Sequence, residues 1–143
     1  MATQTTAGAG EPTVGAARRP TFVQIALALQ TLTIFLQAVS AGLLLSTSYG
    51  ETLHSAGARV MYAASMLYVL AAVLAWRPGG GSPRPIAYAS GFLVLASAQV
   101  VLGVTHRPAL HVPLGVLMFG LSVLDLGRVC VSRLGSSGSR RPR

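Results

Sequence analysis

Charge is scarce in this chain. Charged residues make up 10% of its 143 residues, against roughly a quarter in an ordinary soluble domain. Lysine is absent: all eleven cationic side chains are arginine, and the acids are Glu11, Glu51 and Asp125. There is one cysteine, Cys130, which excludes a disulfide scaffold and a cysteine-based zinc site. The sequence also lacks a nucleophile–base pair and a phosphate-binding loop, which argues against an enzyme for soluble substrates and leans the reading away from catalysis. What is present is apolar. Hydrophobic residues account for 52% of the chain and mean hydropathy is +0.60. This excludes a large soluble enzyme and a disordered chain, and it makes lipid the solvent.

The apolar residues fall into four runs, each near the ~20 residues that cross a bilayer as a helix. The first span is expected over 21–47, since no charge occurs between Pro20 and Gly50. The second is expected over 53–76, with Arg59 snorkelling outward. A loop dense in proline and glycine leads to the third, over 86–105. His106, Arg107 and Pro108 then turn the chain into the fourth, over 110–131. Residues 1–20 and 132–143 read as disordered tails, the second of them basic. Arg18 and Arg19 before an apolar run resemble the start of a signal peptide. The run is much longer than the roughly 7–15 residues of a signal core, however, and three more spans follow.

The arginines give an orientation. Arg18, Arg19, Arg77, Arg84, Arg128, Arg133, Arg140, Arg141 and Arg143 all fall on one side of a four-span chain. Only Arg59 and Arg107 fall on the other. The positive-inside rule then puts both termini in the cytoplasm of a protein of the cell membrane. It also accounts for the net charge of +8 without nucleic acid. Short connections favour antiparallel neighbours, so the expected fold is all-α: an up-down-up-down bundle of four transmembrane helices.

The two halves look alike. Leu53-His54 and Val60-Met61-Tyr62 align without gaps on Leu110-His111 and Leu117-Met118-Phe119. Leu36-Gln37 with Ala41-Gly42 resembles Ala98-Gln99 with Leu102-Gly103. The bundle therefore reads as two similar hairpins. In such a bundle the second and fourth helices are diagonal and parallel, so His54 and His111 share a depth. Facing inward, they would grip a haem between two imidazoles. Gly57 and Gly115, one turn on, would leave room for a macrocycle. Met61 and Met118 share the histidine face and could pack beneath it. Gln30, Thr33 and Gln37 form a polar stripe on the first helix, matched by Gln99 on the third, and such stripes face the interior. Arg59 and Arg107, the outer cations, would pair with propionates.

Each residue also has a plainer reading. A histidine opening a span is often interfacial only, and the glutamines can be interhelical hydrogen bonds. The methionines can be core filler. His106 reads as a solvated turn residue. Asp125 is placed to pair with Arg128 three residues on, and Cys130 reads as packing.

The pattern resembles one half of the haem A synthase family. The resemblance is carried by Gln99-Val100-Val101-Leu102-Gly103, by Leu110-His111, and by Glu51-Thr52-Leu53-His54, and it spans roughly 25–130. It implies a four-helix bundle holding haem between His54 and His111, with Glu51 beside the first. The chain departs from the family in having Ser55 where an arginine often follows that histidine. It also lacks the outer cysteine pair and the second bundle. The resemblance thus implies haem binding more than haem A synthesis. The expected function is a multi-pass membrane protein binding haem b, for electron transfer or haem handling, with a redox membrane partner or a second copy as company. The alternative is a cofactor-free accessory protein of a larger complex. A small proton-driven drug transporter would need an acid in the first span, and none is there.

Overall fold

The computed structural model describes residues 21–137, with side chains through Val131. It is all-α, with four helices: α1 Phe22–Leu44, α2 Gly50–Trp76, α3 Arg84–Val104 and α4 Pro108–Ser137. All four are long and apolar enough to cross a membrane. Residues 1–20 and 138–143, including most of both expected tails, lie outside the described residues.

The ends of the helices follow from local chemistry. α1 opens with a capping box: Thr21 Oγ1 accepts from Gln24 N, and Gln24 Oε1 accepts from Thr21 N. It stops at Leu44, three residues short of the expected end. The hydroxyls of Ser46 and Thr47 donate back to the carbonyls of Gly42 and Leu43 and close the helix there. α2 starts earlier than expected, at Gly50, with Glu51 in its first turn, where a negative charge suits the helix dipole. α3 and α4 both carry proline in their first turn, where its missing N–H costs nothing. α4 continues to Ser137, into the stretch expected to be a disordered tail. No proline occurs between Val131 and Ser137 to stop it.

The turn into α2 is tight. A Cβ on Gly50 would overlap the Leu43 carbonyl and lie 2.5 Å from Leu44 Cα. The clash is with backbone, so no rotamer relieves it. Gly50→Val is expected to destabilise the bundle by about 1–3 kcal/mol or more, read as a lower midpoint in detergent unfolding.

α1 packs on α2 and α4, and α3 packs on the same two helices. α2 and α4 make no backbone contact, nor do α1 and α3. The helices therefore form a ring with α2 and α4 on one diagonal. Two buried layers set their directions. One contains Ala26, Leu27, Tyr68, Ala71, Ala72 and Ala89. The other contains Ile34, Met61, Phe92, Ala96 and Met118. From the first layer to the second the numbering rises from Leu27 to Ile34 on α1 and from Ala89 to Ala96 on α3, and it falls from Tyr68 to Met61 on α2 and from Leu126, packed against the first layer, to Met118 on α4. That is consistent with the expected up-down-up-down order.

The surface and interior are partitioned as lipid requires. Leucine, valine and phenylalanine side chains are exposed along all four helices. Gln30, Ser65 and Ser122 are almost wholly buried. Cross-helix hydrogen bonds join Thr31 to Ser122 at 2.7 Å and Tyr62 to Ser97 at 3.1 Å. Such bonds between spans average about 0.6 kcal/mol. The polar stripe on α1 does turn inward: Gln30 and Thr33 are buried and Gln37 is half-buried. An apolar exterior around a partly polar core identifies a multi-pass membrane protein.

Asp125 is a correction. Its Oδ2 accepts a hydrogen bond from Tyr68 Oη at 2.9 Å. It makes no ion pair with Arg128, which is exposed and lines a groove on the outer face of α4 with Val123, Leu124 and Gly127. The inward-facing Tyr68 reaches it across the diagonal.

Candidate functional site

His54 lies in the first two turns of α2, and His111 in the first turn of α4. Both sit at the end of the bundle away from the Tyr68 layer. Their rings face each other across the diagonal, with centroids 6.2 Å apart and planes at 69°. Both are half-buried.

Each imidazole is held by its neighbouring hairpin helix. His111 Nδ1 is 3.0 Å from the backbone oxygen of Gln99. A carbonyl only accepts, so Nδ1 carries the hydrogen and Nε2 carries the lone pair. His54 Nδ1 is 3.0 Å from Ser40 Oγ. That hydroxyl has one hydrogen, which it donates toward Gln37, with the backbone oxygen at 3.0 Å and Oε1 at 3.1 Å. When that hydrogen goes to Gln37, the hydroxyl accepts from His54 Nδ1–H, and His54 takes the same tautomer as His111. No hydrogen bond reaches either Nε2 among the described residues.

The glutamines clamp the helices that carry the histidines. Gln37 Nε2 donates to the His54 carbonyl at 3.1 Å, and Gln99 Nε2 donates to the His111 carbonyl at 2.8 Å. Gln99 Oε1 is buried with no partner among the described residues. Gly57 and Gly115 serve these amides. A Cβ on Gly57 would come 3.2 Å from Gln37 Nε2, and one on Gly115 would come 2.8 Å from Gln99 Nε2. The space expected for a macrocycle at these glycines is thus filled by glutamine. Gly103 does make room at the site, since a Cβ there would lie 3.2 Å from His111 Cε1.

Other expected site residues are placed differently. Met61 and Met118 are buried together in the apolar layer below the histidines. Glu51 and Arg59 line a shallow groove on the exposed face of α2 with Thr52, Ser55 and Ala56. Arg59 is five residues from His54, about 140° around the helix, so it does not serve the histidine pair. Arg107 is exposed in the turn before α4, and its carbonyl accepts from His111 N. It is the cation nearest to that histidine in sequence. His106, beside it, is exposed and has a positive φ of 53°, a turn conformation in which histidine is enriched.

Three features escaped the sequence reading. Ser40, the partner of His54, lies three residues after Gln37 and so on its helical face, which was the available signal. Gly103 was noted only as part of a repeat. The repeat itself runs deeper. His54, Met61, Ser65 and Tyr68 on α2 correspond in spacing to His111, Met118, Ser122 and Asp125 on α4. All eight are buried or half-buried, forming two matched inward stripes.

Among the described residues, no group of three or more His, Cys, Asp or Glu side chains could hold a metal ion. Two imidazoles alone do not build a tetrahedral zinc site. They do match an iron that already holds four macrocycle nitrogens. Imidazole nitrogen bonds a metal at roughly 2.0–2.1 Å, and its ring centre lies about 1 Å behind, so rings on opposite sides of one ion sit on the order of 6 Å apart. The 6.2 Å between the ring centroids is of that order, while the Gln37 and Gln99 amides occupy the space beside Gly57 and Gly115. Comparison of the chain with protein-family models, curated proteins and solved structures returns no match.

Proposed function

We propose that this membrane protein binds a b-type haem between His54 and His111, for electron transfer or haem handling. One observation carries the reading. His111 gives its Nδ1–H to the Gln99 carbonyl, His54 holds Nδ1 3.0 Å from Ser40 Oγ, and the two ring centroids lie 6.2 Å apart. Ligating histidines characteristically donate their other ring N–H in this way. The haem would be held by His54 and His111 and would supply one-electron chemistry. The chain's own residues orient the ligands, set their basicity and exclude water. Resemblance to a haem A synthase half supports the same ligand pair. With Arg77, Arg84 and Arg128 at the other end, the haem end would face away from the cytoplasm in the cell membrane. A redox partner or a second copy would approach there.

A second reading has its own observation. Rings 6.2 Å apart at 69° are also within the range of an edge-to-face aromatic pair. The histidines would then close one end of a cofactor-free accessory protein. An absorption spectrum of detergent-purified protein, expressed with haem precursor and reduced with dithionite, separates the two. Sharp α and β bands are expected. Well-folded colourless protein from haem-replete cells would overturn the haem reading.

A further inference from the structure

The bundle carries a second polar centre, which the histidine pair does not use. Gln30 is completely buried, and neither its Oε1 nor its Nε2 has a hydrogen-bond partner among the described residues. A buried amide left dry costs free energy for both its donor and its acceptor. Its depth is defined by its neighbours on α1: Leu27 lies in one buried layer and Ile34 in the other. Ser65 on α2 and Ser122 on α4 occupy the same intermediate depth, and both are buried. Ser65 Oγ donates to the Met61 carbonyl at 3.0 Å, so its lone pairs remain available. Amide donor, amide acceptor and hydroxyl together suit water, which needs two to four polar partners in a buried site.

One layer further from the histidines lies Asp125. It is the acid furthest inside the four spans, and no cation pairs with it. The ionisable groups around it are few. α1 contributes none, α2 contributes Tyr68, α3 contributes the exposed Tyr88 and Arg84, and α4 contributes the exposed Arg128. Acids inside spans mark proton relays. On the other side of Gln30, Met61 and Met118 with Ile34 and Phe92 form an apolar layer. That layer separates Gln30 and Asp125 from the histidine pair.

We propose that Gln30, Ser65, Tyr68 and Asp125 form a proton site hydrated from the end opposite the histidines and sealed from them by Met61 and Met118. The step is a protonation: the Asp125 carboxylate takes a proton from water and returns it to water. Tyr68 Oη keeps the carboxyl oriented, and water at Gln30 and Ser65 carries the exchange inside the bundle. Nothing in this site depends on a bound haem.

Infrared spectroscopy of the full chain in nanodiscs tests the proposal. The chain has only three acids, so Asp125→Asn identifies the Asp125 carboxyl band by its loss. The expected result is a protonated-carboxyl band that shifts in D2O and responds to the pH of the medium. Gln30→Met is expected to keep the band and slow its exchange severalfold. Ser65→Ala, a smaller change, should slow it in the same direction if Gln30→Met does not fold. A band absent at every pH, or exchange as fast as wild type in the folded variants, would overturn the proposal.

Discussion

Replacing His54 or His111 with alanine is expected to abolish the low-spin haem spectrum. Each variant would remove one of the two imidazoles that would hold the haem. Losing an orienting partner of a metal ligand typically costs 10–100-fold in affinity, so losing the ligand itself should cost at least as much. The readouts are haem per protein after purification and the reduced α band. His106→Ala supplies the control. It removes the one remaining histidine of the chain, which sits in the turn next to the His111 helix but is exposed. Haem content should be unchanged in that variant. Folding should survive in all three, because neither ligand belongs to the buried apolar layers. Full haem retention in both ligand variants would remove the assignment.

The four helices were legible because lipid imposes a simple rule. Backbone polar groups must be satisfied within the span, so each long apolar run between breakers had to be a helix. The ends were less legible. Leu44 and Gly50 are set by hydroxyl back-bonds and one backbone close approach, which leave little trace in hydropathy. The histidine pair was legible from matched depth and flanking pattern. The glycines beside it were misread because a small residue in a span shows only that something comes close. Here that neighbour is a glutamine amide at both positions. Asp125 was misread for a related reason. Sequence spacing sees the arginine three residues away on the same helix, but it does not see Tyr68 arriving across the diagonal.

That diagonal shows what the two ends of the molecule share. α2 and α4 have no backbone contact, and His54–His111 and Tyr68–Asp125 link them at opposite ends. Both links come from equivalent positions of one repeated stripe. One end carries a matched pair of histidines, and the other carries a phenol and an acid. Two hairpins of matched spacing thus provide two polar links at different depths from one pattern.

The two histidines should differ in how they respond to mutation. The Nδ1 partner of His111 is a main-chain oxygen, which no side-chain substitution removes. The Nδ1 partner of His54 is the Ser40 hydroxyl, itself fixed by Gln37. Ser40→Ala therefore frees His54 to take either tautomer and to rotate, while leaving His111 in place. The expected effect is a 10–100-fold loss of haem affinity, with a changed midpoint potential in the haem retained. Gln99→Met removes the amide that holds the His111 carbonyl but spares the bond to Nδ1, so its effect on affinity should be smaller. Ser40→Thr keeps the hydroxyl and should restore much of the loss. Titration of purified apoprotein with haem gives all three values. If Ser40→Ala binds as tightly as wild type, orientation of His54 does not depend on that hydroxyl. If Gln99→Met is the more damaging variant, the helix clamp outweighs the tautomer lock, and the asymmetry between the hairpins lies in packing instead.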